Sequence, residues 1–447
     1  MTKQSKSWSS WFSFVVVSVG AAIGLGNLWK FPYIVWKYGG GAFVGVYLLA
    51  VCCIAFPVLA AELCLGKATR QDVFAAFTSL SQGNWKWRAL GMMIASTPFM
   101  ILSYYGTVTG WTLYYSGMSA VGFLDASSVE AANHFFFELT NNSMLQFSLF
   151  SIVMLLSGAI LFIGLKGLES CGKILLPLLF IMMFLTACIV CSRYGAYDTV
   201  MFLTDWNLET LSFIGVLEAF GHAFLTLSLG MGITVAYGSY LGAETSVFRA
   251  ALTIAAFDTV SALLACFMIF PILFGTDIEV SESTAVLFTS LAVEYGKFSG
   301  GEYLTTFFFS LTFVAALTSC VALLEACLAT FEVGFHWTRS KSICVSIGLI
   351  SGIGCLGIVS QGYGFRVYGK SMMDTLDFWC STIATPLGGM AVAWCCATKL
   401  KKSIRREALA SRSHSGVWFI PLWEGYLKYI SPVLIFVIIL SQVYLSL

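Results

Sequence analysis

Long apolar runs separated by short polar segments recur along this chain, and few of them alternate as a half-buried strand would. A helix needs about 20 apolar residues to cross a bilayer. Such runs fall at roughly residues 10–37, 41–66, 89–122, 146–165, 171–192, 212–240, 248–274, 303–332, 343–360, 375–398 and 429–446. The first and the sixth are each interrupted by paired glycines, Gly24-Leu25-Gly26 and Gly230-Met231-Gly232, with Asn27 beside the first and Thr226 and Ser228 beside the second. Lipid offers no hydrogen-bond partners, so backbone freed inside a membrane survives only where it is buried in protein or faces a polar ligand. Paired breaks in the two halves of a chain point to a transporter's binding site.

The pattern predicts an all-α integral membrane protein with eleven transmembrane helices. An odd period inverts the second copy, so the expected architecture is a 5+5 inverted repeat with helices 1 and 6 unwound at mid-membrane, plus one extra helix. The chain reads as one polytopic domain over 1–447, with repeat one at about 10–192, repeat two at about 212–398 and the extra helix at about 429–446. The first run carries Asn27, Lys30 and Pro32 in its later part and does not read as a cleaved signal. Between the seventh and eighth runs, Ser283 to Tyr295 holds enough apolar residues to dip into an external vestibule.

Composition agrees with a membrane protein: 58% of residues are hydrophobic and 11% charged. Short cytoplasmic loops accumulate Lys and Arg. One side collects Lys3, Lys6, Lys67, Arg70, Lys86, Arg88, Arg339 and the basic run from Lys399 to Arg412, which places the N-terminus in the cytoplasm and the C-terminus outside, in a plasma (inner) membrane. That basic run is read as topology and not as nucleic-acid binding. The fourteen cysteines show no paired CxxC spacing, and the four histidines, His134, His222, His336 and His414, are scattered. No nucleophile–base pair or metal spacing emerges, so an enzyme is not expected.

Val19-Gly20-Ala21-Ala22-Ile23-Gly24-Leu25-Gly26-Asn27-Leu28-Trp29-Lys30-Phe31-Pro32-Tyr33 resembles the first helix of the neurotransmitter:sodium symporter family. Ser103-Tyr104-Tyr105 with Trp111, Thr226 to Gly232, Ala315 to Ser319 and Leu376-Asp377-Phe378 extend the resemblance in order along the chain. The resemblance implies sodium-coupled uptake by alternating access, with sodium, two ions, as the only cofactor. It places one sodium on the carbonyls of Gly20, Ile23 and Ala315 and the hydroxyls of Thr318 and Ser319. The chemistry agrees, since a hard cation takes oxygen ligands and a broken helix exposes carbonyls. The other sodium falls to Ala22, Asn27, Thr226 and Asp258, with the substrate carboxylate completing the shell. A shared ligand of this kind couples the two affinities.

The resemblance further assigns the substrate site to Ala21, Ala22, Gly24, Leu25, Gly26, Ile101, Tyr105, Leu225, Thr226, Ser228, Met231, Ser319 and Leu323. Leu25 and Gly26 would offer backbone N–H groups and Tyr105 its phenol to a carboxylate. Family members that carry monoamines have an aspartate where this chain has Gly24, so the expected substrate is a neutral hydrophobic amino acid in an apolar pocket. The alternatives are a sodium-independent exchanger of the same fold and a non-transporting sensor. Asn27, Thr318 and Ser319 argue against the first, and no soluble signalling segment supports the second.

Several positions depart from the pattern of bacterial members. Asp258 replaces an Asn and Ala262 replaces a Glu one turn later, a compensating pair that predicts chloride independence. His222 replaces a Gln near Tyr47, where a neutral hydrogen-bond partner is favoured over a pH-sensitive group. The external gate becomes Lys30 with Asp377. The cytoplasmic pair of the family falls on Ser5 and Val333, leaving Lys3 or Lys6 with Glu332, beside Trp8 and Tyr240. The aromatic lid falls on Leu225, with Phe224 next to it. Glu62 is an intramembrane acid without a partner that the sequence identifies.

Overall fold

The computed structural model describes residues 7–124, 126–276, 285–298, 300–362, 366–367, 370–409 and 419–446. Its helices begin where short polar side chains satisfy the orphan N–H groups of a first turn. Ser10 caps α1 (Trp11–Ala22), which is followed at a 57° bend by α2 (Gly26–Lys37). Next come α3 (Gly41–Thr69), the short α4 (Val73–Leu80) capped by Asp72, and α5 (Trp85–Ala120) capped by Asn84. They are followed by α6 (Ser143–Phe162), α7 (Leu165–Tyr194), α8 (Phe213–Thr226), α9 (Ile233–Ser239) and α10 (Val247–Gly275). The order ends with α11 (Gly301–Gly334), α12 (Arg339–Gln361), α13 (Met372–Thr398) and α14 (Ile420–Val443). A two-residue antiparallel ladder, Arg366–Val367 against Lys370–Ser371, is the only sheet among the described residues.

Among the described residues, eight helices are long and apolar enough to cross a bilayer, and the bent pair α1–α2 makes nine. The other two predicted runs coincide with α5 and with α8 plus α9. The first has polar stretches, with Thr97, Ser103, Thr107, Thr109 and Thr112 all buried, and the second is interrupted over 227–232. Length and apolarity alone do not register either as a span. Hydroxyls on these helices mostly bond back to a carbonyl three or four residues earlier, as Thr109 does to Tyr105 and Thr186 to Met182, which hides their polarity from lipid.

The helices pack into one large apolar core, with a second, smaller cluster where Phe74 and Phe77 of α4 meet Trp87 of α5 and Cys395 of α13. Asp72, at the edge of that cluster, lies between two of the apolar helices. Burial pushes its carboxyl up to about 6 against the opposing pull of the Phe74 and Ala75 N–H groups. In an unfolded chain the same group titrates near about 3.9. Below that value both states hold the proton; between the two values only the folded state does, and above both the folded state contains a buried charge. The contribution to stability is therefore present at pH 4 and is lost as pH rises through 6, by on the order of 2 kcal/mol. Asp72→Asn should flatten this slope, so the difference in thermal midpoint between variant and wild type should change in the variant's favour between pH 4 and 7; an unchanged difference contradicts the assignment.

Candidate substrate and ion site

The first break is held open by its neighbours. After Ala22 the backbone turns extended at Ile23, and the Leu25 N–H donates to the Tyr105 hydroxyl at 3.2 Å. The Gly24 N–H donates to Asn27 Oδ1 at 3.3 Å. A side chain at Gly24 would place its Cβ 2.8 Å from the Tyr105 hydroxyl and 3.0 Å from Ser319 Oγ, so only glycine leaves this corner clear.

The second break, residues 227–232, uses left-handed backbone at Ser228, Gly230 and Gly232; glycine adopts it at no steric cost, whereas Ser228 is held there as a non-glycine residue. Ser228 Oγ donates to the Ala21 carbonyl at 3.2 Å and so ties the second break to the first. Glu62 of α3, fully buried, accepts from the Gly230 N–H at 2.7 Å and from the Thr234 hydroxyl. It is thus the partner of the second break, 168 residues away in sequence.

All thirteen residues assigned to the substrate line one cavity of about 150 Å³ between the breaks. Asn27, Tyr104, Ile233, Asp377 and Ser381 complete the lining. Leu225 faces this cavity, whereas Phe224 is buried with its ring against Gly389 of α13. Asp377 is the only carboxylate in the lining; it accepts from the Tyr104 hydroxyl and the Ser381 hydroxyl, each at 2.8 Å.

Two clusters of oxygen flank the cavity. On one side Ser319 Oγ lies 3.3 Å from the Ile23 carbonyl and 3.4 Å from the Ala315 carbonyl, Thr318 Oγ1 lies 2.8 Å from Ala315, and the Thr318 side chain packs on Gly20. On the other side Asp258, wholly buried, accepts from Asn27 Nδ2 at 2.7 Å, and the Tyr47 hydroxyl stands 3.5 Å from its second oxygen. The buried Thr226 hydroxyl faces this pair and completes no hydrogen bond among the described residues. A buried, unspent oxygen beside a carboxylate suits a hard cation, and so does the hydroxyl–carbonyl cluster opposite. No group of three His, Cys, Asp or Glu side chains among the described residues could hold a metal, so a transition-metal centre is not what this chemistry resembles.

His222 stacks on Phe31 at 5.6 Å and lies 6.0 Å from Tyr47, ring to ring, but neither of its nitrogens finds a partner among the described residues. The hydrogen-bonding role expected of it is not what the geometry displays; aromatic packing is.

The profile of the sodium:neurotransmitter symporter family matches residues 5–133 and 130–446. This chain belongs to that family. A sodium-dependent transporter of Haemophilus influenzae, itself uncharacterised, is 30% identical over 463 residues, covering 99% of this chain and 99% of that one. The transporter YhdH of Bacillus subtilis is 29% identical over 98% of this chain and 97% of its own length. The crystal structure of MhsT in complex with L-phenylalanine is 32% identical, with a TM-score of 0.87 over 98% of this chain and 99% of that one. The mouse sodium-dependent neutral amino acid transporter B(0)AT3 is 25% identical over 60% of this chain and 47% of its own length. The protein is thus a multi-pass, sodium-dependent secondary transporter and not an enzyme.

The geometry of this symporter differs at the two ends of the cavity. At one end, a larger cavity of about 490 Å³ shares Leu25, Gly26, Tyr104, Tyr105, Leu225, Asp377 and Ser381 with the smaller one and reaches Lys30, Asp374 and Leu287. Of the 283–295 stretch, Leu287 lines this vestibule, while residues 283 and 284 lie outside the described ones. Lys30 and Asp377 line the same space but form no ion pair among the described residues; Asp377 Oδ1 accepts from Tyr104 and Ser381.

At the opposite end, the Trp8 indole donates to the Tyr237 carbonyl at 3.0 Å, and its ring meets Tyr237 and Tyr240 edge-on at 5.5 and 5.9 Å. The Ser9 N–H donates to Glu169 of α7 at 2.7 Å. Lys3, Ser5 and Lys6 lie outside the described residues. Glu332 instead meets Arg339 at 3.3 Å, and Arg339 also grips the buried Glu325 at 2.6 Å while the Tyr240 hydroxyl donates to Glu325 at 3.0 Å. Glu325 and Arg339 are the residues that sequence reasoning missed here. An acid in the middle of an apolar run was the signal that could have found the first.

Proposed function

We propose that this symporter carries a neutral hydrophobic amino acid inward with two sodium ions and without chloride, through eleven spans arranged as two inverted five-helix repeats plus one, with the N-terminus cytoplasmic in a plasma membrane. The observation that carries the reading is the cavity between the breaks. Leu25, whose N–H donates to the Tyr105 phenol, lines one end of it with Gly26 and Tyr105, and Ala21, Ile101, Leu225, Met231 and Leu323 line the rest. A volume of about 150 Å³ falls below the roughly 300–1,000 Å³ of drug-sized sites and suits one amino acid. No Lys or Arg lines it, so an acidic side chain finds no counterion, and its single carboxylate, Asp377, lies at the vestibule end with Lys30, away from the apolar wall that would receive the substrate side chain.

Thr226 lines the cavity and also faces Asp258, so a substrate carboxylate placed against the first break would reach the ion beside it. Asp258 supplies the negative charge that makes an anion superfluous. The neutral amino acid named for B(0)AT3 and the phenylalanine bound to MhsT agree with this class.

In proteoliposomes with an inward sodium gradient, leucine, methionine, phenylalanine and tryptophan should compete for uptake while glutamate and lysine do not, and replacing chloride by gluconate should leave the rate unchanged. Uptake that ignores sodium would reinstate the exchanger, and binding without accumulation would reinstate the sensor. Gly24→Ala should weaken substrate affinity about tenfold or more, because its methyl intrudes between Tyr105 and Ser319 where overpacking costs 1–3 kcal/mol. Calorimetric titration in sodium checks this; unchanged affinity would remove Gly24 from the site.

A further inference from the structure

We propose that the ends of α5 and α13 opposite the vestibule form a docking site for the headgroup of an anionic phospholipid. Four consecutive residues, Trp85, Lys86, Trp87 and Arg88, open α5 there. Trp85 is 72% exposed, and Trp87 is buried with its ring stacked on the half-exposed Trp394 of α13 at 5.4 Å. Lys399, just past the end of α13, holds its Nζ 5.4 Å over Trp87, Lys86 lies 6.0 Å over Trp85, and Arg88 lies 5.8 Å over Phe74 of α4. The result is an aromatic floor, resting on the smaller apolar cluster, with three cations at its edge.

Charge decides what covers this floor. Three other cations at the same end are consumed inside the protein: Lys67 donates to the Ala243, Thr245 and Ala408 carbonyls, Arg70 to Ser239 and Leu241, and Arg405 pairs with Glu424, whereas Lys401 and Lys402 are exposed but lie off the aromatic floor. Lys86, Arg88 and Lys399 are exposed and meet no carboxylate among the described residues. The nearest acid along α4, Asp72, is buried and turned to the Phe74 and Ala75 N–H groups.

Exposed tryptophans sit at the headgroup level of a bilayer, where their rings contact the glycerol and upper acyl region. Unpaired cations at that level attract anionic headgroups, by about fivefold in affinity per charge. The aromatic floor and the cations together match a lipid phosphate with its acyl chains better than a free anion, which would need no tryptophan. None of these residues lines the transport cavities, so the site is separate from the pathway.

Native mass spectrometry of the full chain released from detergent tests this without reference to transport or orientation. Wild type should retain phosphatidylglycerol over phosphatidylcholine, and the double variant Arg88→Gln/Lys399→Gln should lose about 25-fold of that preference. Lys401→Gln/Lys402→Gln, which removes two exposed cations that have no aromatic partner, should keep it, and Lys399→Arg should keep it too. Equal retention of both lipids by wild type, equal losses in the two double variants, or displacement of the lipid by inorganic phosphate would each overturn the proposal. If the first double variant fails to fold, Lys399→Gln alone should lose about fivefold, and no loss there overturns it equally.

Discussion

Asp258→Asn should lower sodium affinity by about two orders of magnitude and abolish concentrative uptake, while the folded protein persists. The substitution keeps the shape and an oxygen to accept from Asn27 Nδ2, now at 2.7 Å, and removes only the charge. At an effective dielectric of about 20, a unit charge 4 Å from a cation is worth on the order of 4 kcal/mol before competing solvation is counted, so a loss of about 100-fold is a conservative reading. Ala262 is fully buried one helical turn later on α10. A carboxylate at that position can supply the same charge from the neighbouring turn, so the double variant Asp258→Asn/Ala262→Glu should recover much of the sodium dependence. Sodium titrations of all three proteins, followed by thermal shift and by uptake, decide the matter. A single variant with wild-type sodium affinity would remove Asp258 from the ion site, and a double variant no better than the single would show that the position of the charge matters as well as its sign.

Arg339→Ala should destabilise the protein by about 3 kcal/mol and open the end opposite the vestibule. Glu325 is 1% exposed on its side chain and is gripped through two oxygens by this guanidinium, so removal of the cation leaves a buried charge with only the Tyr240 hydroxyl to hold it. Breaking one half of a buried pair typically costs 3–5 kcal/mol. The same guanidinium meets Glu332 and the Leu161 carbonyl, so one side chain ties α11, α12 and the end of α6 together. Cys171 on α7, which shares a small cavity with Tyr237, Gly20 and Thr318, lies just behind this closure. Its alkylation, read at the peptide level, should accelerate in the variant, and Arg339→Lys should restore stability only in part because the two-point grip is lost. A lowered midpoint with unchanged Cys171 labelling would make Arg339 a structural residue and not part of a gate.

The parts of this architecture that were legible in the sequence are the local ones. The residues expected to meet the substrate between Ala21 and Gly26 and between Leu225 and Met231 belong to two short glycine-marked segments, and they line one cavity. Contacts across the chain were not legible. Glu62 had no nameable partner because its partner is the backbone N–H of Gly230, which no side-chain pattern announces. Glu325 was overlooked because attention to Glu332 and Val333 followed the family's gate, whereas the ion pair here runs to Arg339 from two turns earlier. Phe224 and Leu225 could not be told apart because α8 ends at Thr226, where helical periodicity stops telling which way a side chain points. The run over 89–122 was legible as a long helix, although its buried hydroxyls keep α5 from passing as a span on length and apolarity alone.

The attachments of the two breaks are unequal. The second is bolted to α3: Glu62 grips it by two bonds, and Gly238 of α9 lets its backbone press on Leu63, whose carbonyl would lie 2.7 Å from any added methyl. These pieces must swing as one lever. The first break is joined to α11 only by hydroxyl–carbonyl contacts of 3.3 Å or so at Ser319, the kind an ion can replace. With the ion placement proposed above, the joint between the first break and α11 would be made of the ion's own ligands, so ion release would change how firmly the two are held.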